Sequence, residues 1–556
     1  MFIRIVLILL TFFVSAHAIT HRLEDAFIRS SFRYLSKHHY SSHLPSKGRI
    51  EVAVVGGGST GISFVSQFLR EIKQHTHKDK FSIRLFESSG TLGAGLAYNA
   101  KSHALLLNSP ASCFSIYPED QLHFLKWLQL YPEKWTKHFP EIDAITEDTF
   151  VPRKLAGLYL KDAAQQAQEL ANQHGIPYEI IEDEVVDIVE TPIFPKTKVV
   201  TKHSASQYGA DHIILCTGNC MPESYVSLKK YPNYFHTIHS DEEKIKESVK
   251  LASSVLVIGT RLSAIDATLM LKDQGYRGWI TMASRNGRLP SVKSEFKIYN
   301  LKHLTSENIQ HQLHTYHTLR IEHLIKLIER EASDIYGREI SIAEIARYTH
   351  DPITTLERDL ERTKKGDALW QRIPPIFIEH IEMYWRNFSL EEKMKYLRNY
   401  VGVMQRYTSA FPVVNAEKIL SMLHANQLTI KNRLKEVSYD EIEKRFVACY
   451  SGDDGTKTYE YFDCVLNSTG SGKNLPKSES QLYLNASHTN SLNFNTFGGL
   501  DTSVNNFRVT TQKDFKAQIY AAGSPTFGSY FFTNYFYTSA KQSKSIVEDI
   551  LSTHKI

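Results

Sequence analysis

Apolar residues along this chain alternate between short continuous runs and helical spacing, and the switches fall at glycines. Val52 to Val55 is a continuous run rich in β-branched residues, which predicts a strand buried on both faces. It ends in Gly56-Gly57-Gly58-Ser59-Thr60-Gly61, and Ile62, Phe64, Val65, Phe68 and Leu69 then follow a helical pattern. Phe81 to Phe86 is a second apolar strand, closed by Glu87. Lys161 to His174 reads as helix, and Pro177 to Ile188 with Val199 to His203 as a small β-meander. Asp211 to Leu215 then runs as a strand into Cys216-Thr217-Gly218. The strand, turn and helix order repeats at Ser254 to Ile258, Gly259 and Leu262 to Asp266. From Ser291 to Asn426 glycine nearly disappears and helical periodicity dominates, as at Leu319, Ile321, Leu324, Leu327 and Ile328. Strands return from Leu428. Tyr459 to Leu466 leads into Asn467-Ser468-Thr469-Gly470, and Gln518 to Ala522 leads into Gly523. A loop, Pro525 to Phe532, and a helix from about Thr533 to Leu551 close the chain.

A G-x-G-x-x-G carries meaning only between a strand and a helix, which is where Gly56, Gly58 and Gly61 stand. Gly56 allows the tight turn, Gly58 lets the backbone approach a pyrophosphate, and Gly61 lets the helix sit close on the strand. Ser59 and Thr60 open that helix, whose free N–H groups favour an anion. Glu87 suits the ribose hydroxyls of an adenosine. The alternative is a glycine-rich turn that binds nothing. In the second unit Gly259 holds the first glycine's place, Arg261 stands at the second, and Ser263 follows on the helix. The next strand, Trp279 to Ala283, ends in Ser284 and Arg285 where an NAD site carries an acid. A guanidinium fork suits a 2′-phosphate, so this seat favours NADPH over NADH. Arg261 either swings outward to pair with a phosphate or fills the space the pyrophosphate needs.

At 556 residues the chain has room for two or three domains, and its 42% hydrophobic and 22% charged residues are those of an ordinary folded protein. The net charge of +5 is small for this length, and no basic cluster interleaves with aromatics, so nucleic-acid binding has no support. Met1 to Ala18 carries a basic residue, an apolar run and Ala16-His17-Ala18, the layout of a cleaved secretory signal; an uncleaved anchor is the alternative. Periplasmic or secreted localisation is therefore expected, with no membrane span after cleavage. The five cysteines form no disulfide framework and no zinc spacing, and Cys216 at the end of an apolar strand reads as a small buried hydrophobe.

Longer blocks point further. Gly93-Ala94-Gly95-Leu96-Ala97-Tyr98, His103, Leu106 to Ala111, Pro118-Glu119-Asp120, His123 to Leu128, and Val151-Pro152-Arg153 with Gly157 to Leu160 resemble the bacterial FAD/NAD(P)-binding proteins. That family includes a flavin-dependent urate hydroxylase and a nitrosuccinate-forming aspartate N-oxygenase. The resemblance implies an α/β fold with two Rossmann-type dinucleotide-binding domains, a two-dinucleotide flavoprotein, interrupted by a helical insertion. The expected division is a signal at 1–18, a linker at 19–47 and a first FAD-binding part at 48–240. An NAD(P)-binding domain at 250–295, the insertion at 296–426 and a second FAD-binding part at 427–556 follow. It implies FAD on the first unit, with Gly95, Asn108, Thr217, Gly218 and Gly523 beside it. NADPH docks on the second unit, where Asp266 falls at the family's acid. The implied activity is oxygen transfer to a small molecule. The alternatives are an NAD(P)H oxidase or reductase, or a secreted FAD-binding protein with a degenerate NADPH site. No catalytic acid, base or metal ligand is assigned. His103, Asp120 and Arg153 are pocket candidates. Thr526-Phe527-Gly528 lacks the arginine that the family carries in this loop, which leaves the substrate open, and no protein partner is indicated.

Overall fold

A computed structural model describes residues 42–43, 48–76, 78–190, 197–239, 242–294, 299–345, 347–349, 351–369 and 374–555. The expected signal at 1–18 and most of the linker lie outside the described residues.

The first unit is a five-stranded parallel sheet in the order Gln518–Ala521, His212–Leu215, Ile50–Val55, Phe81–Phe86, Tyr178–Ile181. Parallel neighbours need crossovers, and helices Ser59–Ile72 and Arg153–Gln173 supply two of them. Phe64, Val65, Phe68 and Leu69 are completely buried, because Ser59–Ile72 is enclosed by the sheet, Arg153–Gln173 and the closing helix Phe536–Thr553. Each such side chain contributes about 1.5–3 kcal/mol relative to exposure. The meander is smaller than expected. Tyr178–Ile181 leaves it to become the first sheet's edge, paired parallel with Phe81–Phe86, because Arg153–Gln173 carries the chain back to that edge. Val185–Val189, Thr197–Thr201 and Gln207–Ala210 form the antiparallel remainder, and Ser42–His43 from the expected linker pairs with its last strand.

The second unit is also a five-stranded parallel sheet, ordered Leu428–Lys431, Trp279–Ala283, Ser254–Ile258, Cys464–Asn467, Tyr234–Phe235. Two boundaries therefore move. Residues 428–467 were expected in the FAD-binding part, but two of their strands complete this sheet. Tyr234–Phe235, expected in the first part, is its edge. The single strand expected over Tyr459 to Leu466 breaks at Asp463, whose carboxylate takes the backbone N–H groups of Ser253 and Ser254 at 2.9 and 3.0 Å. Lys457–Phe462 before the break belongs to a three-stranded antiparallel meander with Leu434–Asp440 and Arg445–Ser451.

The insertion divides as well. Helices Ser306–Tyr316, Ile321–Tyr336 and Pro374–Asn387 share a separate core around Trp385 and Tyr396. Helices Pro352–Lys364 and Val413–His424 instead pack on the second sheet, and the latter leads directly into its strand Leu428–Lys431. The two-unit α/β architecture read from the sequence is present, with the insertion's core resting on the Phe527 and Phe531 loop of the first unit.

Candidate functional site

The first turn is built to hold a diphosphate. Gly56 has φ +106°, and a Cβ there would lie 2.3 Å from the Cys216 carbonyl oxygen, so only glycine lets the returning strand pass. A Cβ on Gly61 would come 1.9 Å from the Gly56 oxygen, which fixes how closely the helix starts above the turn. Gly58 differs: only the Gly95 Cα stands near, at 3.7 Å from its would-be Cβ. Gly58 and Gly95 thus border an open space at a helix N-terminus that no side chain caps. Ser59 and Thr60 form the first helical turn there. The Glu87 carboxylate is fixed beside the turn. One oxygen accepts the Gly57 N–H at 2.8 Å, and the other accepts from the Ser89 N–H and hydroxyl at 2.8 and 2.7 Å. Gly523 (φ +75°) brings the last strand within 3.2 Å of the Thr60 hydroxyl, measured from its would-be Cβ. Open space, uncapped N–H groups and a fixed acid fit an adenine dinucleotide such as FAD.

A cavity of about 460 Å³ lies between the two units. Asn108, Gly218, Ser524 and the residues around Thr533–Phe536 line it from the first unit, Leu262, Ser263 and Lys293 from the second, and Gln405 from the insertion. The closing helix begins at Phe536, three residues later than expected, with its uncapped N-terminus at the cavity. Its first ring stacks on Phe114 at 4.4 Å.

Arg153 holds the halves together. Its Nη2 donates to the Asp266 carboxylate at 2.8 Å and its Nε to the Leu106 carbonyl at 3.1 Å, so one guanidinium joins the first unit's helix, its cofactor loop and the second unit's helix. Burial lifts the Asp266 carboxyl above the usual range, against the pull of Arg153. His239, on the same cavity wall, is pushed down to about 4 by burial and, secondarily, by Arg153, so its ring is neutral at pH 7.

The second turn repeats the first with one change. Gly259 (φ +127°) passes under Ser468, whose oxygen is 2.6 Å from the would-be Cβ. Arg261 points away from the turn: its guanidinium donates to the Gln405 side chain and to the Gly402 carbonyl at 3.3 Å. Burial, then the nearby Arg285 charge, lowers its pKa. Arg285 is exposed at the strand end, while the Ser284 hydroxyl is engaged with the Thr260 hydroxyl at 3.0 Å and the Gly287 N–H at 3.0 Å.

Three expected positions take other roles. The Thr217 hydroxyl bonds the Tyr483 hydroxyl at 2.6 Å and braces the strand end; its neighbour Gly218 is the one at the cavity. His103 packs on Phe139 and faces Glu141 at 3.5 Å, and Asp120 pairs with Lys126 at 2.7 Å; both are half-buried and neither lines the cavity. Two groups went unnoticed in the sequence. Lys293 lies in an unremarkable stretch after Pro290. Glu382 lies in the helical insertion, where helical periodicity marks no single charge out. It is buried, and one of its oxygens accepts the N–H groups of Phe531 and Phe532 at 2.8 and 2.6 Å, so the insertion holds the loop whose rings line the cavity.

Residues 53–220 match the FAD-NAD(P)-binding family model. That span is the first unit as far as Cys220. No curated protein sequence matches the chain. Among solved structures, the L-lysine 6-monooxygenase of Pseudomonas syringae is similar, with TM-score 0.56 and 12% identity over 91% of this chain and 99% of that one. The ornithine N-hydroxylase of Kutzneria sp. 744 has TM-score 0.54 and 13% identity, over 91% and 100%. The FAD-bound cadaverine monooxygenase of Erwinia amylovora has TM-score 0.51 and 10% identity, over 90% and 94%. At these identities the likeness is one of fold: the chain has the two-dinucleotide-binding flavoprotein architecture.

Two outcomes follow from the buried charges. Arg153→Met leaves Asp266 buried without its partner and should cost about 3–5 kcal/mol in urea denaturation, whereas Arg153→Met/Asp266→Leu should recover most of that loss. Equal costs for the single and double variants would contradict the pairing. Burial pushes Glu382 up to about 7, so the folded chain holds this proton more tightly than the unfolded one. Its contribution to stability is complete below the unfolded carboxylate value and is lost as pH rises through about 7. Glu382→Gln should therefore flatten the fall in stability between about pH 5 and pH 8, read from urea midpoints across that range.

Proposed function

We propose that this protein is an FAD-dependent, NADPH-linked monooxygenase acting on a small molecule. The observation that carries this reading is the cavity between the two dinucleotide units, bordered by the loop after the last strand and the start of the closing helix on one side and by the start of the helix after the second turn on the other. The Gly56–Gly61 turn holds the FAD diphosphate, Glu87 its ribose, and the N-terminus of Phe536–Thr553 faces the ring. When bound, FAD supplies the redox chemistry, taking a hydride from NADPH and passing electrons to O2. The chain orients both partners and excludes water: Phe527, Phe531 and Phe532 wall the cavity, and Glu382 fixes their loop. Arg285 takes the 2′-phosphate of NADPH. The similar solved structures named as lysine, ornithine and cadaverine monooxygenases support the reading through their fold. The Met1 to Ala18 pattern supports export from the cytoplasm.

One observation favours a second reading, an FAD-binding protein with a degenerate NADPH seat. Arg261 replaces the second glycine and is held by the insertion at Gln405 and Gly402. Aerobic turnover separates the two. The monooxygenase reading expects one FAD per chain, consumption of NADPH in preference to NADH, and hydrogen peroxide formation in the absence of substrate. Arg285→Ala should narrow the preference for NADPH about tenfold or more by removing a charge-assisted phosphate contact. Bound FAD with no oxidation of either nucleotide would favour the degenerate seat.

A further inference from the structure

The charges lining the cavity are not balanced. Arg153 is matched by Asp266. Lys473 lies over the Phe527 ring at 4.0 Å, and the Glu223 carboxylate, held on its backbone N–H at 2.6 Å, favours its charged form against burial. Lys293 is the outlier. Its segment is braced at three points: Ser291 N–H to the Arg406 carbonyl at 2.9 Å, Lys293 N–H to the Phe411 carbonyl at 2.9 Å, and Phe411 N–H to the Ser291 carbonyl at 3.0 Å. The side chain then crosses from the second unit to the first, where Nζ donates to the Asn108 carbonyl at 2.6 Å. An ammonium has three N–H donors; among the described residues this carbonyl is its one hydrogen-bond acceptor, and the Phe150 ring centroid stands 6.0 Å away. No described carboxylate forms an ion pair with it. Burial pushes its pKa down to about 8, and the one ionisable group pulling it back is the Cys113 thiol. A cation in such a place carries a desolvation cost that an anion would relieve.

The FAD diphosphate does not answer that need. Its seat, the Gly56–Gly61 turn, does not border this cavity, whereas Asn108, Ser109 and Phe536 do. The NADPH phosphates belong at Gly259 and Arg285, neither of which lines this cavity. What remains in reach of Lys293 is the molecule that meets the flavin ring. We propose that the substrate is a small carboxylate, and that the Lys293 ammonium pairs with its negative group, positioned by the Asn108 carbonyl. This rests on the flavin reading above and narrows it. The same geometry disfavours a purely cationic amine, because in the cavity wall the one carboxylate, Asp266, is already taken by Arg153.

The test uses the oxidised holoprotein and needs no turnover. Acetate, succinate and benzoate are titrated while the visible absorbance of the bound flavin is followed, with acetamide, succinamide and benzamide as neutral isosteres. At least one acid should perturb the spectrum and bind about tenfold or more tightly than its amide, as expected for one partly buried ion pair. Lys293→Met should abolish that difference and leave the amide unchanged, while Lys293→Arg should retain it. Acids and amides binding alike, no spectral response to any acid, or undiminished discrimination in Lys293→Met would overturn the proposal while leaving the flavin assignment intact. A chain that takes up no FAD even on reconstitution would overturn the functional reading itself, and the proposal with it.

Discussion

Arg153 and Asp266 are opposite charges buried at the junction of two units. Each sheet has its own helices and core, and the first unit also lends Ala100 and Leu105 to the core of the second. The ion pair adds a charged link to that apolar contact. Asp266 is enclosed enough that burial lifts its carboxyl, so separating the units strands one charge or hydrates two. The pair therefore acts more as a register than as a source of stability. It sets which faces of the two units meet, and the same guanidinium fixes the Leu106 carbonyl two residues before Asn108. Asn108 in turn receives Lys293 from the second unit. The cavity between the units is thus bounded by polar links that each cross the junction once.

The insertion closes what the ion pair opens. Its core meets the first unit at Phe527 and Phe531, and Glu382 reaches into the loop backbone where the rings turn toward the cavity. Gln405 reaches the other way and takes the Arg261 side chain. One helical body therefore touches both the flavin-side loop and the nicotinamide-side turn. Motion of that body would alter both seats together, which is the arrangement expected where water must be excluded during a redox step.

Local patterns in the sequence were enough for the two turns and their strands, because a glycine whose Cβ would strike a backbone oxygen leaves its mark on the chain itself: Gly56, Gly61 and Gly259 could be placed without a structure. The resemblance added Gly95, Asn108, Gly218 and Gly523, all of which gather at the first turn or the cavity. What escaped is non-local. Parallel pairing of Leu428–Lys431 and Cys464–Asn467 with Trp279–Ala283 and Ser254–Ile258 joins residues more than a hundred positions apart, so the boundary at 427 fell inside the second unit. Nothing in the sequence around Lys293 or Glu382 marks them out, and only tertiary enclosure makes them unusual. His103 and Asp120 erred in the opposite direction, being chemically suggestive side chains that the fold keeps out of the cavity.

The claim on which everything else depends is that NADPH at the second turn reaches a flavin held by the first, across the cavity that Arg153 and Asp266 set in register. Anaerobic mixing of the FAD-loaded chain with NADPH, following the flavin's visible band, tests it most directly. Bleaching of the whole band within the mixing experiment is the expected result. A band that survives excess NADPH while free dithionite reduces it fully would mean that the two seats do not communicate and that Arg261, held by Gln405, keeps the second one shut.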